Sequence, residues 1–251
     1  MKKCAYCGVE CQPTREHIWP KTLIEKNEMT HVYSQKTNKI FLGEPVIKDV
    51  CSTCNNAKLS KLDSYLSSLF DDHLKFIINP GDSASLNYSY DLLLRSLLKI
   101  SFNASRAANS DKNTKAHTKF IQYILNGGYF SKVMIRLQIV TSSRKINVES
   151  GDESNFHPRL LRCGLISYDG PLAHRFLIKL IAINSYWFYL IIPFKAEPEH
   201  KWLEMLNGFS TWRIQPGLVV DPKLSTLHIP VNRTTYFVPD LLGSLLHAEL
   251  A

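Results

Sequence analysis

Two CxxC pairs, Cys4–Cys7 and Cys51–Cys54, bracket the first part of this chain, and any fold it adopts must bring them together. Each pair presents two sulfurs from one tight turn, and four thiolates in a tetrahedron suit Zn²⁺. The residues between them are short apolar pieces and polar loops with little helical periodicity. A loop-rich segment of about seventy-five residues like this cannot bury much core and is marginal alone. Zinc supplies what the core lacks, because binding worth about 10–16 kcal/mol at such a site is largely folding energy. Cys4, Cys7, Cys51 and Cys54 are therefore assigned to structural zinc. Cys11 could stand in for one ligand, but it and Cys163 read as small hydrophobes.

Thiols act as metal ligands rather than disulfides where the compartment is reducing. The opening MKKCAYCGVE has no apolar run of the kind a secretory signal needs, so a cytoplasmic setting is expected. The apolar stretch from Phe176 to Phe194 is broken by Lys179 and Asn184-Ser185. It reads as two buried strands joined by a turn rather than as a membrane span.

The 251 residues carry a net charge of +8, which favours an acidic partner, nucleic acid first. Eleven Lys/Arg against nine Asp/Glu fall in residues 1–80, so most of the excess lies beyond. Arg95, Lys99 and Arg106 recur at near-helical spacing, which suits either a phosphate backbone or an ordinary charged outer face.

From Ser52 the pattern turns helical, with Leu59, Leu62, Leu66, Leu69 and Phe70 on one side, until Asn79-Pro80-Gly81 breaks it. Helices are expected over Tyr90–Ala108 and Lys115–Leu125, the latter stopped by Gly127-Gly128. Strands follow over Val133–Val140, Leu160–Tyr168, Ala173–Ile183 and Tyr186–Pro193, then helices over Glu199–Leu206 and Pro239–Leu250. The class is α+β in two domains: residues 1–78 around the zinc, and 83–251 as helices packed on a mostly antiparallel sheet.

Glu16 and His17 lie between the cysteine pairs, and Asn55 follows Cys54 directly. A Cys₄ zinc is closed and does no chemistry. A carboxylate and an amide oxygen suit Mg²⁺ or Mn²⁺. The imidazole is then a base of the right pKa to take a proton from water. CxxC, then Glu16-His17-Ile18-x-Pro20, then CxxC-Asn55-x-x-Lys58 resembles the zinc-containing HNH endonucleases, over residues 4–70. The resemblance implies a ββα-metal fold and hydrolysis of DNA phosphodiester bonds. It implies Glu16 and Asn55 as ligands of a catalytic Mg²⁺ or Mn²⁺, His17 as the base that activates water, and Lys58 as a phosphate contact. Leu59 and Asp63 would have structural roles.

The chain departs from the family pattern in three places. Residue 16 is Glu where Asp is commoner. Val46 stands where a middle Asn would orient the base, and Asn38, nearest upstream, has the wrong spacing. The insertion from Lys21 to Glu44 is long. Taken singly, Asn55, Asn56 and Lys58 are ordinary residues of a helix start, and Trp19 and Pro20 are packing residues. The other eight histidines have no comparable context. Three readings stand: a metal-dependent DNA endonuclease, as in phage defence, restriction or mobile elements by analogy; a non-catalytic zinc module that binds nucleic acid or protein; and a latent nuclease. The last would be released by a regulatory protein or small-molecule activator at the second domain. Homo-oligomerisation is left open, and no membrane partner is expected.

Overall fold

A computed structural model of the chain describes residues 1–27, 31–34, 39–42, 45–128, 132–168, 170–211 and 217–230. The helix expected over 239–250 and the side chain of Asn38 lie outside these residues.

The chain opens with a small hairpin, β1 (Lys2–Lys3) against β2 (Glu10–Cys11), whose turn carries Cys4 and Cys7. Gly8, at φ +76°, closes this turn in a conformation that suits glycine, and its N–H bonds the Cys4 carbonyl. Strand β3 (Thr14–His17) follows, then helix α1 (Lys21–Lys26). A hairpin of β4 (His31–Ser34) and β5 (Lys39–Leu42) comes next. Strand β6 (Val46–Val50) returns antiparallel to β3, with His17 opposite Val46. Cys51 follows at once, and the chain turns helical: a π-helical stretch Thr53–Leu59, helix α2 (Ser60–Leu69) and a second π-helical stretch Phe70–Leu74. The leucine stripe explains the helix, since Leu59, Leu62, Leu66, Leu69 and Phe70 are all buried. Two strands and a helix thus stand in the order β3–β6–α2.

After β7 (Ser83–Asn87) comes α3 (Tyr90–Ala107). The one helix expected over 115–125 is two, α4 (Asp111–Thr118) and α5 (Ile121–Asn126). The chain bends between them where Lys119 turns its ammonium onto the Pro193 and Phe194 carbonyls. Gly127, at φ +72°, ends α5, and a Cβ there would meet the Arg95 guanidinium at 2.9 Å.

The main sheet holds β8 (Met134–Ile139), β11 (Leu161–Ile166), β12 (Phe176–Ile183), β13 (Tyr186–Pro193) and β14 (Leu218–Val219). The order is β11-β12-β13-β8-β14 and every pairing is antiparallel. Every residue of β12 and β13 is buried. Alternation explains this: Ile181, Phe188 and Leu190 face the large core under α3, while Ile178, Trp187 and Ile191 face a smaller core. The smaller core includes Met205 and Phe209 of α6 (Glu199–Thr211). No described helix is long and apolar enough to cross a membrane.

Two pairings, among others, escaped the sequence reading. One is β9 (Ser143–Ile146) with β10 (Glu153–Phe156). The other joins β7 to β15 (Thr226–Pro230) across most of the chain. The large core runs unbroken past the expected boundary near residue 80: Leu23, Leu66, Ile78, Ala84 and Leu97 belong to one cluster. The β12–β13 turn reinforces it. Asn184 Nδ2 donates to the Leu74 carbonyl at 3.1 Å, and the Ile78 N–H donates to Ser185 Oγ at 2.9 Å.

Candidate metal centre and the strand beside it

The β1–β2 turn and the junction of β6 with the following helix bring Cys4, Cys7, Cys51 and Cys54 into one cluster. Their sulfurs all lie within 4.8 Å of one another, and Cys7 and Cys51 are 3.7 Å apart. A zinc with Zn–S bonds of about 2.3 Å spaces its sulfurs by about 3.8 Å, so the pocket has the right size. A disulfide would need about 2.05 Å, and all four thiols are free. Backbone N–H groups serve the sulfurs: Cys51 donates to Cys4 and Cys54 to Cys51, each at 3.4 Å. Burial raises the Cys4 pKa, but the backbone donors from Cys51, Cys7 and Tyr6 outweigh it and bring the thiol down to about 7. A thiolate is what a metal takes, and Cys4 is drawn toward that form, whereas burial and the neighbouring sulfurs push Cys54 up and Cys7 is also raised; the donor set and its spacing are what fit zinc. Cys11 and Cys163 pack against the core, apart from the cluster.

Asn55 sits one residue past this cluster and is stitched to β3. Its Nδ2 donates to the Arg15 carbonyl at 2.9 Å and to Thr14 Oγ1 at 3.0 Å, while the Thr14 hydroxyl donates to the Val50 carbonyl. The helix start therefore lies against the strand that carries Glu16 and His17. With Nδ2 spent on the strand, Oδ1 is the atom Asn55 has left for a cation.

Glu16 turns inward and is 2% exposed. Its Oε1 meets the Lys99 ammonium at 2.8 Å and accepts from Asn103 Nδ2 at 3.1 Å. Lys99 is 1% exposed and also reaches Asp63 Oδ1 at 2.5 Å. Burial pushes the Glu16 carboxyl up, with Lys99 opposing it. Burial pulls Lys99 down, but Asp63 and Glu16 outweigh it and raise it, so the ammonium stays charged. At 2.8 Å a Glu–Lys pair is worth about 6 kcal/mol of gross attraction at an effective dielectric of about 20, before desolvation is counted. A divalent ion on the same oxygen, at about 2.1 Å, would stand within about 5 Å of that ammonium. The two expected oxygen donors therefore differ. Asn55 keeps an oxygen that can accept, whereas the Glu16 carboxylate is sealed and already holds a positive charge.

His17 follows Glu16 on the strand, is half-buried and interacts with its surroundings. Its carbonyl accepts from Asn103 Nδ2 at 3.2 Å. Lys58 reaches across to α5, where its Nζ donates to Asn126 Oδ1 at 2.6 Å, so a phosphate would compete with that bond.

Sequence reasoning missed the residues of α3 that close this arrangement. Asn103 Oδ1 accepts from the Tyr6 hydroxyl at 2.7 Å and from Arg106 at 3.0 Å. Arg106 pairs with Asp49 and stacks over Tyr6 and Phe102. Arg95 pairs with Asp91. The basic residues of α3, read as a phosphate-facing or solvated stripe, thus point inward at carboxylates. A partial signal was present: Lys99, Asn103 and Arg106 are spaced four and three apart, on one side of the helix. No family model matches this chain, and neither does any curated protein or solved structure.

Proposed function

We propose that the protein is an endonuclease of the HNH type that hydrolyses DNA phosphodiester bonds, with His17 as the base. The carrying observation is the Asn55–Arg15 hydrogen bond. It sets the start of the helix, just past the cysteine cluster, against the strand bearing Glu16-His17. The β3–β6–α2 order around four clustered thiols supports the same reading.

In this reading the zinc is structural, held by Cys4, Cys7, Cys51 and Cys54. His17 removes a proton from a water, which attacks the phosphorus in line with the 3′ oxygen; the P–O3′ bond breaks, the 3′ oxygen takes a proton from solvent and leaves as a hydroxyl, and the other strand end keeps a 5′-phosphate. A positioned base of this kind contributes about 10²–10⁴ in rate. Lys58 exchanges Asn126 for a phosphate oxygen of the bound strand. Mg²⁺ or Mn²⁺ is required, and no step is routed through Glu16.

The test is cleavage of supercoiled plasmid with Mg²⁺ or Mn²⁺, with EDTA as control. Cutting that EDTA stops and His17→Ala abolishes, with zinc content unchanged, supports the reading. Cleavage by His17→Ala at the wild-type rate overturns it.

A non-catalytic zinc module is the second reading, and the Glu16–Lys99 ion pair favours it, because that carboxylate is committed to packing. It predicts DNA or protein binding with no cleavage under any divalent ion.

A further inference from the structure

We propose that Glu16 is a positioning residue and not a cation ligand: the Lys99 ammonium fills the cation's seat between Glu16 and Asp63, and with Asn103 it fixes the strand that carries His17. What is positioned rests on the nuclease reading; the charge arrangement stands without it.

Three observations carry this. First, the seat is full. Lys99 Nζ lies 2.8 Å from Glu16 and 2.5 Å from Asp63, so one positive charge already bridges two carboxylates from separate elements. Hard oxygen donors that face one another around a cation are what a divalent ion also seeks, and here the cation is covalently part of α3. Second, the seat is closed on the Glu16 side. Glu16 and Lys99 are both sealed from solvent and only Asp63 is part-exposed, so an ion reaching Glu16 must first displace a buried ammonium from its carboxylate partner. Third, the contact continues into the backbone of the candidate base. Asn103 Nδ2 spans Glu16 Oε1 and the His17 carbonyl, and its Oδ1 is held by Tyr6 and Arg106. The amide cannot flip without facing Tyr6 and Arg106 with its donors, so its orientation is fixed from both ends. Glu16 and Asn103 therefore hold the strand at residue 17 from behind. Adjacent strand residues project to opposite faces, which separates the holding residue from the one placed to act.

The experiment uses the full zinc-loaded chain with ¹⁵N-labelled lysine. A buried ammonium bonded to two carboxylates gives a solvent-protected Nζ signal, assigned with Lys99→Arg. The proposal expects this signal to be present, to shift in Glu16→Gln, and to stay unmoved on titration with Mg²⁺. Absence of a protected signal, no shift in Glu16→Gln, or displacement by Mg²⁺ each overturns it. Should wild type cleave DNA, Glu16→Gln is expected to lower kcat. Its half-activating Mg²⁺ concentration should stay within about twofold, whereas loss of a true carboxylate ligand would raise it about tenfold or more. A tenfold rise overturns the proposal. No cleavage by wild type removes the nuclease reading and leaves the Nζ signal to decide the charge arrangement.

Discussion

The cysteines divide by what they touch. Cys51 belongs to the four-sulfur cluster and its sulfur accepts the Cys54 N–H. Cys51→Ser should lose zinc and unfold the strands and helix start around it, because metal binding and folding are one event at such a site. Cys11→Ser should keep both zinc and fold, since Cys11 packs on the core and is not one of the four clustered sulfurs. Metal analysis and circular dichroism check the pair. Asn103 is the opposite kind of residue, uncharged and far from the cysteines in sequence. It serves Tyr6, Glu16, His17 and Arg106 at once. Asn103→Ala leaves several buried polar groups without a partner and should cost about 2–4 kcal/mol in denaturant unfolding. By contrast, Arg144→Ala breaks the largely exposed pair with Glu153 and should change stability by less than about 1 kcal/mol.

Helix α3 shows what a local pattern can and cannot carry. Its existence and bounds followed from leucine spacing, and so did the leucine-lined helix after Cys51. The buried hairpin β12–β13 followed from branched residues and an Asn-Ser turn, and Asn184 does adopt a left-handed φ of 49°. The partners of the polar face of α3 were not legible. A lysine looks the same in sequence whether it meets solvent or the buried carboxylate of Glu16, eighty-three positions away in number. The cluster of four cysteines was legible because ligand spacing encodes geometry. The β7–β15 pairing was not, because strand pairing across the chain leaves no local trace. Likewise, the polar run that forms β9 and β10 shows no apolar alternation to find.

The segment that carries the four clustered cysteines and the sheet share one core, so events on either side should be felt by both. His117 of α4 offers a pH readout of that core. It is fully buried; its Nδ1–H donates to the Asn113 carbonyl and its Nε2 lies 2.8 Å from the Ser101 hydroxyl. Burial, chiefly, lowers its pKa from 6.5 to about 4. The unfolded chain therefore takes up a proton between these values that the native chain refuses. Stability from this group is fully present above about pH 6.5 and falls as pH drops toward 4, by on the order of 3 kcal/mol in all. His117→Gln should flatten that part of the stability profile, as thermal unfolding from pH 4 to 7 would reveal.

Everything proposed for His17 and Asn55 presupposes that four thiolates grip one metal and so hold strand and helix together. X-ray absorption at the zinc edge of the purified chain examines this without reference to activity. The account predicts a single zinc per chain with four sulfur neighbours at about 2.3 Å. A first shell of nitrogen or oxygen donors, or a chain that keeps its thermal transition after the metal is stripped, would contradict it.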